Sequence, residues 1–258
     1  MLEQAFLEGL MDKAWPALER EDSGEWVLRA SEGVTQRANS VWPRVPSGTG
    51  RESLAQSVQS AALWYRSRRL PLIFQVFEDA RSAELNAVLD GQRFTRQSET
   101  RIMVRDAAGL RGVMPKQEVE LRDHPWSEWL DLWWSVDGRG GEVELSVARK
   151  ILTDCPSLYA LVRDDDGVPA AVGRLALVDG WGGIYSMATS AAHRRRGYGT
   201  RVLEALLQAG AERNLKGFWL LVTTSNRGAQ ALYAQAGFTD CGGYVYRQAP
   251  LKRAPGGC

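Results

Sequence analysis

Arg194-Arg195-Arg196-Gly197-Tyr198-Gly199-Thr200 is the stretch on which the reading of this chain turns. An apolar run, Ile184 to Met187, precedes it, and Val202, Leu203, Leu206 and Leu207 follow at positions that share one helical face. The order is therefore strand, glycine-bearing turn, helix. A helix start leaves backbone N–H groups without intrahelical partners, and the macrodipole adds positive potential at the same point. Gly197 and Gly199 let the main chain curl toward a phosphate with no side chain in the way. Three arginines beside the turn supply charge and planar donors. A basic triplet is more often a solvated or nucleic-acid-facing patch, but directly before Gly-x-Gly at a helix start it faces phosphate, and a pyrophosphate fits.

A second unit repeats the order. Phe218 to Thr223 is apolar and β-branched, Thr224, Ser225 and Asn226 are natural caps, and Ala229, Leu232, Tyr233 and Ala236 fall at helical spacing before Gly237 stops the helix. Phe238 begins a further strand.

Arg194-x-x-Gly197-x-Gly199 followed by Asn226-x-x-Ala229-x-x-Leu232-Tyr233-x-x-x-Gly237-Phe238 resembles the paired motifs of the GNAT superfamily of acyl-CoA N-acyltransferases, over roughly residues 145–247. Either motif alone is a weak signal, and the two in this order are a strong one. The resemblance implies an α/β GNAT fold, with a mixed, mostly antiparallel sheet flanked by helices, and transfer of an acetyl group from acetyl-CoA to an amine within a ternary complex. It also implies that Arg194, Arg195, Arg196, Gly197, Tyr198, Gly199 and Thr200 hold the pyrophosphate, chiefly through backbone N–H groups. Met187, Ala188 and Thr189 then pair with the pantetheine arm, and the Met187 N–H meets the thioester oxygen. Asn226 matches a residue that bonds the pantetheine or orders the helix start. Tyr233 matches the tyrosine that protonates the leaving thiolate; its plain alternative is a core position, as that of Asn226 is a simple cap.

Composition bounds the rest. The 258 residues are 44% hydrophobic and 24% charged, which is a globular balance with material for two domains or one elaborated domain. A formal net charge of +1 gives no global attraction for nucleic acid or acidic membrane. Cys155, Cys241 and Cys258 are few and scattered, as in a reducing compartment. No apolar run approaches a membrane span, and Glu3, Glu8 and Asp12 stand where a signal peptide is basic and then apolar. A cytoplasmic protein, monomeric or homodimeric, is expected. With only His124 and His193 and no paired cysteines, no metal site is expected.

Along the chain, periodicity predicts an amphipathic helix over 2–18, strands over 26–29 and 38–42, a loop over 43–50, a helix over 53–68, a strand over 72–77, a helix over 83–89 and a bent strand or hairpin over 94–104. The passage from helix through Asp90-Gly91 into Phe94-Thr95 parallels that through Ala236-Gly237 into Phe238-Thr239. This is read as a faint internal repeat, a degenerate copy without the basic Gly-x-Gly turn; the alternative is a common α/β arrangement. The expected organisation is an N-terminal α/β, GNAT-like domain at 1–110, a linker at 111–124, a catalytic domain at 125–250 and a tail at 251–258. Within the catalytic domain, a short helix carrying Trp126, Trp129, Trp133 and Trp134 and a helix over 143–152 precede a hairpin turning at Asp165-Asp166-Gly167. The tryptophans are core, a domain contact or an acceptor pocket.

The general base is not legible. Relatives often place a carboxylate on the central strand, where this chain has Tyr185 and Ser186; Asp131, Glu142 and Glu144 are candidates that read first as solvated face charges, and a water chain could serve instead. The N-terminal half, with a Trp-x-x-Arg strand and Arg37-Ala38-Asn39-Ser40-Val41, resembles actinobacterial tandem proteins, some of them amino-acid acetyltransferases of the N-acetylglutamate synthase kind. Arg37 and Asn39 could bind a carboxylate there. The acceptor is expected to be an amino acid or another small amine, with a protein N-terminus as the rival and a non-catalytic acetyl-CoA sensor as a reading of another class.

Overall fold

The computed structural model describes residues 3–44, 50–110 and 119–250. In chain order it holds α1 (Gln4–Ala14), β1 (Glu19–Ser23), β2 (Trp26–Ala30), β3 (Trp42–Pro43), α2 (Arg51–Ser67), β4 (Ile73–Phe77), α3 (Ala83–Gly91), β5 (Thr95–Asp106) and β6 (Glu120–Arg122). There follow α4 (Ser127–Asp137), α5 (Glu142–Thr153), β7 (Ser157–Arg163), β8 (Pro169–Val178), β9 (Trp181–Thr189), α6 (Tyr198–Glu212), β10 (Gly217–Thr223), α7 (Arg227–Gln235) and β11 (Thr239–Gln248). Contacts divide the chain into two compact units, one of residues 1–16 with 101–241, the other of 17–100 with 242–258. That division differs from the one expected at 111–124. The first helix falls with the C-terminal half because Leu7, Leu10 and Met11 are buried and α1 packs against β8 and β9. The expected tail at 251–258, most of the linker (111–118) and most of the expected loop at 43–50 lie outside the described residues.

The first unit is built on a mixed sheet ordered β10-β9-β8-β7-β6, in which β9 and β10 are parallel and the other neighbours antiparallel. Alternation along β7 assigns its two faces. Leu158, Ala160 and Val162 join the core formed with Val202, Leu203 and Leu206 of α6. Tyr159 points the other way and meets Trp129 of α4 edge-on at 5.0 Å. The Trp129 indole donates to Ala160 O at 3.0 Å and Gly173 O at 3.2 Å, so α4 is pinned to the sheet by a buried aromatic with a satisfied N–H. Trp129 and Trp133 are therefore core. The hairpin turn forms where expected: Gly167 has φ 78°, and Asp164 Oδ1 accepts from the N–H groups of Asp166 at 3.1 Å and Val168 at 2.8 Å.

The second unit holds the antiparallel strands β1, β2 and β3, and the end of β11 paired with β4 from Tyr244↔Phe77 to Gln248↔Ile73. Its core gathers Trp26, Leu28, Val41, Val58, Tyr65, Phe74, Leu89 and Phe94. The strand expected over 38–42 is a turn through Ser40, after which Val41 makes an isolated parallel bridge to Phe74 and Trp42–Pro43 pairs with β2. The cause is Asn39. Its Oδ1 accepts from the N–H groups of Ser31 and Gly33 at 2.8 and 2.9 Å, and its Nδ2 donates to Val34 O and Thr35 O at 2.7 and 2.8 Å. A side chain used so fully by its own turn has little left for a substrate carboxylate, and that expectation for Asn39 is withdrawn. The segment expected as a bent strand or hairpin is one strand, β5, bent where Ser98 takes φ 50°.

The helix exits of α3 and α7 share their geometry. Phe94 N donates to Leu89 O and Phe238 N to Tyr233 O, each at 3.0 Å, after a left-handed residue, Arg93 at φ 61° in one and Gly237 at φ 84° in the other.

Gly173 lies where β8 meets both β9 and α6: a Cβ there would stand 2.5 Å from Met187 Sδ and 2.7 Å from Val202 Cγ1. Gly173→Ala is expected to destabilise the protein by about 1–3 kcal/mol, read as a lower urea midpoint at unchanged slope.

Candidate active site

The site begins in β9. Its parallel ladder to β10 runs Gly182↔Phe218, Gly183↔Trp219 and Ile184↔Leu220, and among the described residues it goes no farther, although β9 continues to Thr189 and β10 to Thr223. On the other side, the β8 ladder shifts register between Val172 and Arg174, where Ser186 adopts φ 51°. A bulge of this kind bends its strand and re-aims the residues beyond it. Met187, Ala188 and Thr189 therefore sit past the end of the β10 ladder, while Ala188 and Thr189 still pair with Val172 and Ala171 of β8. Ser186 Oγ is buried there with no hydrogen-bond partner among the described residues.

Directly after β9, a short 3₁₀ turn over Ala191–His193 leads into the basic run. Arg195 has φ 59° and Gly197 φ 84°, so two left-handed residues reverse the chain before α6. Gly197 is the N-cap of α6, and no side chain caps the helix. The first amides of a 15-residue helix are thus offered without a protein side chain across them. A Cβ on Gly197 would meet nothing within 4 Å, so its φ rather than its space requires glycine. A Cβ on Gly199 would approach Thr189 Oγ1 at 3.4 Å, which places the end of β9 beside the turn. Arg194, Arg195 and Arg196 are exposed, and Thr200 is half-buried. The Tyr198 side chain is 3% exposed and belongs to the core. Only its main chain can face an anion, while the guanidinium groups of Arg196 and Arg201 lie 5.4 and 4.8 Å from its ring.

Past the turn, α7 carries the remaining expected residues. Asn226 caps the helix, its Oδ1 accepting from Ala229 N at 3.1 Å. Tyr233 is 7% exposed and lies edge-on to Phe238 at 6.2 Å. Burial, with the Asp137 carboxylate adding to it, pushes its phenol up to about 12. The Arg105 guanidinium donates to Ala236 O at the end of α7, a cation where the helix dipole favours one.

The three base candidates lie on α4 and α5. Asp131 and Glu142 are exposed, and Glu144 Oε2 accepts from Gly141 N at 2.7 Å at the start of its own helix. On β9, Tyr185 accepts from the Trp219 indole at 3.1 Å and stacks on Trp15 at 5.7 Å. Sequence reasoning also missed His193, which is 8% exposed with both ring nitrogens engaged. Its partner Asp164 lies 29 residues away, beyond any local pattern. Among the described residues no group of three or more His, Cys, Asp or Glu could hold a metal ion, and no helix is long and apolar enough to cross a membrane.

A parallel strand pair that parts after three rungs, feeding a glycine turn at a helix start, with a tyrosine on the next helix, defines an acyl-CoA-dependent N-acetyltransferase of the GNAT class. The GCN5-related N-acetyltransferase from Kribbella flavida shares the fold, with TM-score 0.73 at 18% identity over 98% of this chain and 97% of that one. Residues 4–247 match the family described as "Probable histone acetyltransferase Rv0428c C-terminal", and the chain belongs to that family. It is similar to the uncharacterized N-acetyltransferase YobR of Bacillus subtilis, 28% identical over 249 residues, which are 93% of this chain and 96% of the relative. It is also similar to the probable histone acetyltransferase Rv0428c of Mycobacterium tuberculosis, 31% identical over 163 residues, which are 58% of this chain and 49% of that protein. A tandem GNAT protein from the clavulanic acid biosynthesis pathway aligns with TM-score 0.61 at 16% identity over 83% of this chain and 76% of that one.

The Tyr233 phenol should ionise late. An ultraviolet titration of wild type minus Tyr233→Phe is expected to show a phenolate step at about pH 12, above the ordinary value of about 10. Because the folded value is raised, the associated stability is complete below pH about 10 and is lost as pH rises toward about 12. The Phe variant is expected to lose less stability than wild type across that window.

Proposed function

We propose that this chain moves the acetyl group of acetyl-CoA to the amine of a small molecule, an amino acid foremost, by direct attack. The observation that carries the reading is the early end of the β9–β10 ladder, which leaves Met187, Ala188 and Thr189 beside the uncapped start of α6. An extended pantetheine arm supplies the strand partner these residues lack, and its diphosphate meets the amides from Gly197 to Thr200 with Arg194, Arg195 and Arg196 around it. The acetyl carbonyl then lies near Met187, whose N–H stabilises the oxygen as it gains charge.

In the reaction the amine nitrogen bonds to the thioester carbon, the C–S bond breaks, and the sulfur leaves as a thiolate. Tyr233 gives that sulfur its proton. A phenol raised to about 12 stays protonated across the working range, so the donor is always charged with its proton. The transfer is favoured only while the thiolate is itself held out of water, where burial raises its proton affinity too. The nitrogen loses its proton to water, since the amine must arrive neutral, and solvent returns a proton to the Tyr233 phenolate. A protein amine is the second reading, favoured by the name of the mycobacterial relative, a probable histone acetyltransferase.

A thiol-release assay with acetyl-CoA against a panel of amino acids and peptides tests both readings. Amino acids are expected to release free coenzyme; release by peptides alone would transfer the assignment to protein amines, and release by neither would remove both. Tyr233→Phe is expected to lower kcat by about a hundredfold with acetyl-CoA affinity nearly unchanged, and equal turnover would remove its assigned role.

A further inference from the structure

We infer that His193, clamped between Asp164 and Ser190, is a positioning residue that sets the geometry of the diphosphate turn; the inference rests on the reading of that turn given above. His193 Nδ1 lies 2.6 Å from Ser190 Oγ and Nε2 lies 2.8 Å from Asp164 Oδ2. A carboxylate only accepts, so Nε2 carries the hydrogen, and in the neutral ring Nδ1 accepts from the Ser190 hydroxyl. Both partners are themselves anchored. Asp164 Oδ1 is held by two backbone N–H groups of the β7–β8 turn, and Ser190 N donates to Ala170 O of β8 at 3.0 Å. The hydrogen bond from His193, with those from Val168 and Asp166, keeps the Asp164 carboxyl below its ordinary range, so the acceptor stays ionised.

The clamp acts on the turn from both ends. Ser190 follows the last residue of β9, and the imidazole meets the Tyr198 ring edge-on at 5.3 Å and 89°. Tyr198 is the first residue of α6, directly after Gly197. Between these two anchored points the chain takes left-handed φ at Arg195 and Gly197, and a non-glycine residue at φ 59° persists only where its surroundings hold it. With the clamp in place the amides from Gly197 onward are directed at one point before any anion arrives. Without it, part of the binding energy goes into ordering the turn. His193 itself touches no reacting atom; it acts through Tyr198 and the main chain.

The test compares two acyl donors, acetyl-CoA and S-acetylpantetheine, which has the same thioester arm and no diphosphate. His193→Ala and Asp164→Ala are each expected to weaken acetyl-CoA binding about tenfold or more by calorimetry, with the double variant no weaker than the worse single one. Turnover of S-acetylpantetheine is expected to match wild type in all three. His193→Gln, which can still donate to Asp164, should recover part of the affinity, and serves if an alanine variant fails to fold by thermal melt. Equal losses with both donors would make the clamp a support for the whole fold, and undiminished acetyl-CoA affinity would make it irrelevant to the turn; either overturns the inference. A wild-type protein with no preference for acetyl-CoA over S-acetylpantetheine would instead refute the assignment of the turn itself, and the inference with it.

Discussion

Three rungs of parallel ladder, Gly182 to Ile184 against Phe218 to Leu220, hold the site open by ending where they do. At the lower end a glycine pair brings the strands together: a Cβ on Gly182 would stand 2.8 Å from Phe218 Cδ1, and one on Gly183 would stand 2.5 Å from Trp219 Cζ2. The aromatic rings of β10 thus lie over positions with no side chain. At the upper end the left-handed Ser186 and the register shift against β8 turn β9 away. Close approach below and a bulge above make a wedge, and the wedge needs no moving part. Beyond Ile184 the β10 side of β9 has no ladder partner in β10, and buried main chain is costly to leave unpaired unless water or a ligand supplies one.

The same constraint orders the surrounding chemistry. Gly173 allows Met187 and α6 to close on β8, so Met187, past the last rung of the ladder, also packs against the core. Tyr233 is buried beside Phe238 at the exit of α7, where Arg105 fixes the helix end. Its phenol is held neutral by the burial that places it. In α3, the equivalent exit presents Leu89 in place of Tyr233 and Arg93 in place of Gly237. The two exits keep one backbone geometry while only one carries a phenol.

The parts legible in the sequence were those with local causes. The helix after Gly197, the cap at Asn226, the hairpin at Gly167 and the helix stop at Gly237 each follow from a periodicity or a turn residue within a few positions, and each stands where expected. Distant contacts left no such mark. Asn39 reads as part of a strand until its four hydrogen bonds to residues 31–35 are seen. Tyr198 sits in an anion-binding motif, yet its ring is core because α6 turns it inward. Asp164 and His193 belong to different elements and meet only once β8 and β9 pair. The first helix reads as part of the N-terminal half by position, and joins the other unit through apolar contact with β8 and β9.

Amide hydrogen exchange with and without acetyl-CoA tests the wedge most directly, because it reads main-chain N–H groups one segment at a time. The donor is expected to slow exchange in two separated segments, Met187 to Thr189 and Gly197 to Thr200, and to leave the paired rungs at Gly182 to Ile184 as they were. Slowing spread evenly over the sheet, or absent from both segments at saturating donor, would contradict the account.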